Sequence, residues 1–215
     1  MNIGERIEKI GIVPVVKIEE IGDALPLADA MAKGAPQHVT LAAEITFRTA
    51  HALAAIEAIA SSRPEILVGA GTVTSADQAK SAIDAGAKFI VGPGLSGAVA
   101  KVCRDRNTLY LPGCVTPTEI IAAMDEGIDT VKFFPASVYG GLKAIKALSA
   151  PFTAVRFLPT GGVNATNLAE YLSFDRIVAC GGSWMVESSL VREKKFDVVE
   201  SLCREASEIV KSVRG

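Results

Sequence analysis

Leu109-Tyr110-Leu111-Pro112-Gly113-Cys114-Val115-Thr116-Pro117-Thr118-Glu119 carries the chain from a strand into a helix. Leu109 to Gly113 is a short apolar run punctuated by glycine, the pattern of a buried strand that stops at a turn. Thr116 and Glu119 stand at the spacing of a capping box, and Pro117 occupies the first helical position, where its missing N–H costs nothing. The stretch therefore reads as strand, loop and capped helix. A strand apolar on both faces that feeds a helix belongs to a parallel sheet covered by helices.

The same pattern recurs on both sides. Apolar runs at Ile12–Ile18, His38–Ile45, Glu65–Val73, Lys88–Gly92, Thr130–Phe134, Val155–Pro159 and Arg176–Gly181 are each followed by an Ala-rich or Leu-rich amphipathic segment, the first of them spanning Glu19 to Lys33. Ser75-Ala76-Asp77-Gln78 is a second helix start, and Gly86 and Gly127 fall where helices should end. Ile3, Ile7 and Ile10 add a helix ahead of the first strand. Eight βα units in 215 residues suit a single (β/α)8 TIM barrel over residues 1–215 with an extra N-terminal helix. A doubly wound open sheet is the competing arrangement.

Composition removes several classes of function. The net charge of -2 and the scattered lysines and arginines give no footprint for nucleic acid. No apolar run is long enough for a membrane span, although 49% of the residues are hydrophobic. Met1 to Ile10 is charged and helix-patterned, unlike a signal peptide, which leads us to expect a cytoplasmic protein. Cys103, Cys114, Cys180 and Cys203 have no CxxC spacing and read as buried or partly buried thiols in a reducing compartment. With only His38 and His51 there is no evident metal site and no Ser-His-Asp triad.

In a (β/α)8 barrel the chemistry sits where strands end. Lys132 is a cation inside the apolar run Asp129-Thr130-Val131-Lys132-Phe133-Phe134-Pro135-Ala136. Alternation gives it the face of Thr130 and Phe134, and Pro135 ends the strand just beyond it. By itself Lys132 is either a snorkelling surface lysine or a reactive one. Glu44 follows a nearly charge-free strand and has the parity of Thr40, Ala42, Thr46 and Arg48, so that a rim ion pair between Glu44 and Arg48 competes with a functional cluster that includes Lys132. Pro93 and Phe134 fall where they would line the mouth. Gly161-Gly162 and Gly181-Gly182-Ser183 are glycine turns at strand ends seven and eight, where barrels often hold a phosphate through backbone N–H groups. Lys17 ends the first strand beside Ile18-Glu19-Glu20 and reads as solvent-exposed. Trp184 either packs or lines the mouth beside Ser183, and the sequence leaves both open.

Glu44-Ile45-Thr46-Phe47-Arg48-Thr49, Gly69-Ala70-Gly71-Thr72-Val73, Pro112 to Glu119, Val131 to Ala136, Phe157-Leu158-Pro159-Thr160-Gly161-Gly162-Val163 and Gly181-Gly182-Ser183-Trp184 together resemble the 2-keto-3-deoxy-6-phosphogluconate (KDPG) and 4-hydroxy-2-oxoglutarate (KHG) aldolase family. The resemblance covers nearly the whole chain in order. It implies a cofactor-free and metal-free Schiff-base aldolase, commonly a homotrimer, whose partner is a small-molecule 2-keto acid phosphate. Pyruvate and glyceraldehyde 3-phosphate are its products. By that likeness Lys132 is the Schiff-base lysine and Glu44 the general acid/base. Arg48 and Thr72 hold the pyruvate carboxylate, while Thr160, Gly161, Gly162, Gly182 and Ser183 match the phosphate end. The departures cluster at strand two, where Ala42 and Ala43 replace bulkier residues, Phe47 replaces leucine, and Ala35-Pro36-Gln37-His38 is an unusual lead-in. They bear on substrate fit, with 4-hydroxy-2-oxoglutarate and the phosphogalactonate epimer as alternative substrates.

The chemistry sets a condition on Lys132. An ordinary amine, with a pKa of about 10.4, is neutral in only about one molecule in 2,500 at pH 7, and only the neutral form attacks a ketone. The expectation is that desolvation against Phe134 and proximity to Arg48 supply the free amine. A phosphosugar isomerase or synthase, with Glu44 abstracting a proton and Lys132 acting only through its charge, is the competing enzyme class. A non-catalytic phosphometabolite-binding barrel is the third reading.

Overall fold

The structure, a computed structural model, describes residues 1–35 and 41–215. Its strands are β1 (Ile12–Val16), β2 (Leu41–Thr46), β3 (Ile66–Gly71), β4 (Phe89–Val91), β5 (Leu109–Leu111), β6 (Thr130–Phe133), β7 (Arg156–Pro159) and β8 (Cys180–Gly182). Helix α1 (Ile3–Ile10) precedes them. Helices α2 (Ala24–Gly34), α3 (Ala52–Ser62), α4 (Ala76–Asp84), α5 (Gly97–Asp105), α6 (Pro117–Asp125), α7 (Gly141–Ser149) and α8 (Leu168–Leu172) fill the crossovers, and α9 (Ser188–Arg192) and α10 (Phe196–Arg214) complete the chain. All eight expected strands are present. The expected start of the second strand at His38 lies outside the described residues, as does most of the Ala35–His38 lead-in.

Every strand pair is parallel. One sheet has the order β5-β4-β3-β2-β1-β8, and β6 and β7 form a second. Single parallel bridges join the two: Gly113 to Lys132 from the β5 side, and Phe157 to Ile177 and Thr160 to Gly181 towards β8.

Alternation along the strands separates two cores. Val13, Ala42, Leu67, Phe89, Val91, Leu111 and Leu158 cluster on the inner face with Ile7 and Ile10 of α1. Val131, Phe133 and Phe157 point the other way, into a larger cluster beneath the helices. Helix α1 thus covers one end of the inner core, and burying Ile7 and Ile10 is worth roughly 1.5–3 kcal/mol each. An Asn2–Glu5 capping box starts α1, and Gly11, at φ 73°, stops it. Arg156 holds Glu8 at 2.6 Å, and Arg214 at the end of α10 donates to the carbonyls of Glu8, Ile177 and Val178.

The helix punctuation follows the sequence. Thr116 Oγ1 accepts from the N–H of Glu119, whose carboxylate accepts from Thr116 N–H and Val115 N–H at 2.9 and 2.8 Å. Ser75 caps α4, and Gly86 and Gly127 take left-handed φ values of 106° and 78° just past their helices. The segment expected to be helical from Glu19 begins its α-helix only at Ala24, after a 3-10 turn at Ile21–Asp23. Pro26 is the cause: without an N–H it belongs in a first turn, which fixes the helix start close to it. All four cysteines are buried free thiols, each pushed up to about 12 by burial. Among the described residues no helix is long and apolar enough to cross a membrane.

Candidate active site

Lys132 lies between two neighbouring strand ends. Its N–H donates to Pro112 O at 2.8 Å, its carbonyl accepts from Cys114 N–H at 2.9 Å, and Leu158 of β7 is its register partner. Val131 and Phe133 anchor the outer core, so alternation turns the lysine inward. Glu44, on the inner face of β2, is register partner to Gly69 and Val15. The two side chains meet in the interior. Lys132 Nζ is 3.1 Å from Glu44 Oε1 and 3.5 Å from Oε2, with the residues only 5% and 1% exposed. From β2 to β6 through β3, β4 and β5 is four strand spacings, which on a flat sheet would hold these residues about 19 Å apart. The sheet is therefore strongly curled, and its curl makes the pair.

Gly71 makes room for it. A Cβ on Gly71 would overlap Glu44, with Cγ at 2.6 Å and Cδ at 2.7 Å. It is a site residue by what it lacks, and its role shows only once the register of β2 on β3 is known. The expected neighbour Phe134 lies beside the buried Lys132 amine. Phe134 falls beyond the end of β6, half exposed, with its ring centroid 5.2 Å from Nζ, and Arg48 makes no ion pair with Glu44. The charged group in contact with Lys132 is the Glu44 carboxylate, and a carboxylate can take the proton that has to leave the amine.

Arg48 does not lie on β2. The strand stops at Thr46 and Arg48 is exposed in the following turn, so strand parity does not govern its direction. Its position is set otherwise. Phe47 N–H donates to Gly71 O at 2.8 Å, which ties the turn that carries Arg48 to the end of β3, just before Thr72. Thr46 Oγ1 and Thr49 Oγ1 donate to Val16 O and Ile18 O, tying the same loop to β1. Thr72 has φ 59°, an outlier for a β-branched residue, and such outliers concentrate at ligand sites.

The two glycine turns are neighbours through the Thr160–Gly181 bridge. Gly161 and Gly162, at φ 91° and 80°, carry the chain away from β7, and Ala136 N–H and Ser137 N–H donate to the carbonyls of Thr160 and Gly161. Among the described residues the N–H groups of Gly161 and Gly162 have no hydrogen-bond acceptor. The helix expected at Asn164 or Thr166 begins at Leu168, because the Asn164 side chain accepts from Thr166 N–H and holds a turn. The Gly181-Gly182 pair has a further use. A Cβ on Gly181 would overlap the Thr160 hydroxyl, and one on Gly182 would overlap the Trp184 ring. Trp184 therefore packs, folded back onto β8, and Ser183 is left exposed at the rim.

Pro93 is exposed after β4, in a loop fixed by Tyr110, whose hydroxyl donates to Gly94 O and accepts from Ser96 N–H. Burial pushes that hydroxyl up to about 12, so it stays protonated as the donor. Lys17 pairs with Glu19 at 2.6 Å, half exposed, as its sequence surroundings suggest. Among the described residues no three His, Cys, Asp or Glu side chains are grouped to hold a metal ion.

A buried lysine–carboxylate pair on a curled parallel sheet, beside an arginine, a strained threonine and paired glycine turns, defines an enzyme: an aldolase, a lyase built around an amine. The chain belongs to the KDPG and KHG aldolase family, whose family model matches residues 3–202. It is 42% identical over 210 residues to the 2-dehydro-3-deoxy-phosphogluconate aldolase of Haemophilus influenzae, covering 98% of this chain and 97% of that protein. A crystal structure of KDPG aldolase from Legionella pneumophila, with pyruvate captured as a covalent carbinolamine intermediate, has TM-score 0.89 at 33% identity and covers 95% of this chain and 97% of its own. The Zymomonas mobilis enzyme with 3-phosphoglycerate has TM-score 0.88 at 36% identity over 96% of both chains.

Proposed function

We propose that this enzyme is a class I aldolase that cleaves 2-keto-3-deoxy-6-phosphogluconate to pyruvate and D-glyceraldehyde 3-phosphate. The observation that carries the reading is the buried contact of 3.1 Å between Lys132 and Glu44. The carbinolamine in the Legionella relative and the 3-phosphoglycerate in the Zymomonas relative support the two ends of the substrate.

Glu44 first takes a proton from Nζ, leaving the free amine. The amine attacks C2, and the carbinolamine loses its hydroxyl as water with a proton from Glu44, which leaves an iminium. Glu44, again a carboxylate, removes the proton of the C4 hydroxyl. The C3–C4 electrons pass into the iminium, the aldehyde departs and an enamine remains. Glu44 returns its proton to C3, and water hydrolyses the iminium to pyruvate and restores Lys132. Arg48 and Thr72 bind the carboxylate, the arginine through its two-pronged fork. Backbone N–H groups of Gly161, Gly162 and Gly182, with the hydroxyls of Thr160 and Ser183, receive the phosphate. Pro93 and Phe134 line the mouth between.

The same reading makes residues 1–215 a single (β/α)8 barrel, with the β5–β6 and β7–β8 bridges as its seams. It also makes the enzyme a cytoplasmic homotrimer, which light scattering and cell fractionation check. The decisive test is borohydride reduction in the presence of pyruvate, followed by peptide mapping. An adduct on Lys132 is expected; one on Lys17, or none, refutes the assignment. Turnover by Lys132→Ala would favour the isomerase or synthase.

A further inference from the structure

Trp184 is the chain's one tryptophan, and it sits directly after Ser183 in a 3-10 turn, Trp184–Val186. That turn is closed by Val186 N–H donating to Ser183 O at 3.0 Å. The indole reaches back over Gly182 and fills the space in which a side chain of residue 182 would lie. Gly182 is buried and is the register partner of Pro14 on β1, so the ring rests on a fixed strand end. Indole packed on a strand on one side and joined to Ser183 on the other leaves little freedom to the peptide between them. With the ring seated, Ser183 faces out; with the ring gone, the Gly182–Ser183 segment regains the conformational range of a glycine.

The indole N–H is buried and has no hydrogen-bond partner among the described residues. An unpaired buried donor is unfavourable, so the ring's shape is what the site uses. A phenyl ring fills part of the same space without the orphaned N–H.

We propose that Trp184 is a positioning residue for the anionic end of the substrate: seated on Gly182, it aims Ser183 and the Gly182 backbone and so sets the preference for phosphorylated over unphosphorylated 2-keto acids. This rests on the aldolase reading above. It goes further in giving discrimination to a side chain that touches neither substrate nor reacting atoms.

Two measurements test it. The first is aldol cleavage of 2-keto-3-deoxy-6-phosphogluconate and of 4-hydroxy-2-oxoglutarate by wild type, Trp184→Leu and Trp184→Phe. For the leucine variant KM for the phosphorylated substrate is expected to rise about tenfold or more, with kcat and the cleavage of 4-hydroxy-2-oxoglutarate changed less than about twofold. The phenylalanine variant recovers most of the lost affinity. An equal loss on both substrates, or an unchanged KM, overturns the proposal. Wild-type enzyme inert towards the phosphorylated substrate would instead sink the functional reading itself. The second measurement needs no variant and holds even if the leucine variant does not fold. Because Trp184 is the sole tryptophan, fluorescence excited at wavelengths beyond tyrosine absorption reports on the turn alone. Titrating wild type with inorganic phosphate is expected to give a saturable change in emission that pyruvate does not give, and its absence overturns the proposal.

Discussion

Replacing Gly71 with alanine separates the architecture of the pair from its chemistry. The added Cβ would stand 2.6 Å from Glu44 Cγ and 2.7 Å from Cδ, roughly 1 Å inside ordinary carbon–carbon contact. β3 is hydrogen-bonded on both sides, so Glu44 is the group that yields. A displacement of that size takes its oxygens from 3.1 Å to about 4 Å from Lys132 Nζ, past hydrogen-bond reach. Misplacing a reacting group by about 1 Å costs on the order of 100-fold in kcat, or about 2.7 kcal/mol of barrier. Overpacking also lowers stability, by about 1–3 kcal/mol. Gly69→Ala is the control, because its Cβ meets the Phe89 ring, with Cδ2 at 2.5 Å, rather than Glu44. It carries a similar stability cost. Pyruvate release, coupled to NADH oxidation by lactate dehydrogenase, and chemical denaturation give both quantities for each variant. The reasoning fails if Gly71→Ala keeps its kcat, or if Gly69→Ala loses as much.

Other substitutions probe other parts of the site. Thr72→Gly relieves a left-handed φ of 59° and is expected to leave stability unchanged or raise it by up to about 1 kcal/mol, while the KM for pyruvate in the condensation direction rises; a clear drop in Tm argues against the strain. Burial works to raise the Glu119 carboxyl, but hydrogen bonds from Val115 and Thr116 outweigh it and hold the carboxyl below its ordinary value. Its stabilisation is therefore full above the unfolded carboxylate range and is lost as pH falls through the depressed folded value. The stability advantage of wild type over Glu119→Gln should shrink between about pH 7 and pH 3, and an advantage constant with pH contradicts this. Exchanging the buried pair for apolar residues, Glu44→Leu with Lys132→Met, is expected to leave stability equal or raise it by about 1–4 kcal/mol while activity vanishes, whereas Lys132→Met alone, which strands a carboxylate, costs about 3–5 kcal/mol.

What the sequence made legible was local in origin. The strand-to-helix grammar around Leu109 to Glu119 stands as read, cap and proline included, because capping is decided within four residues. Lys132 pointing inward follows from alternation and a strand end marked by Pro135. Alternation extended past Thr46 puts Arg48 on the face of Glu44, but the strand ends at Thr46; what ties its turn in place is the hydrogen bond from Phe47 to Gly71 at the end of β3. The free space at Gly71, Gly181 and Gly182 is also non-local, since each glycine is explained by a side chain on another element or beyond a turn. Trp184 illustrates the same limit: its two readings differ only in where a ring folds, and the vacant side of Gly182 decides between them.

The inner face of this sheet changes character along its length. On β3 it runs from Leu67 through Gly69 to Gly71, and at β8 from Ala179, just ahead of the strand, to Gly181 within it. At the α1 end the interior is filled by Ile7, Ile10, Phe89, Leu111 and Leu158. At the other end the strands lose side-chain volume, and Glu44, Lys132 and the Thr160 hydroxyl project into what is left. Apolar filling at one end holds the curl that brings β2 and β6 together; glycines at the other keep that curl from being filled. Neither half suffices, because without the packed layer two strands four places apart never bring their side chains within 3.1 Å, and without the glycines the carboxylate has no room beside the amine. The lysine–carboxylate pair is thus produced by the curl of the whole sheet, and the octapeptide around Lys132 supplies only the strand that aims it.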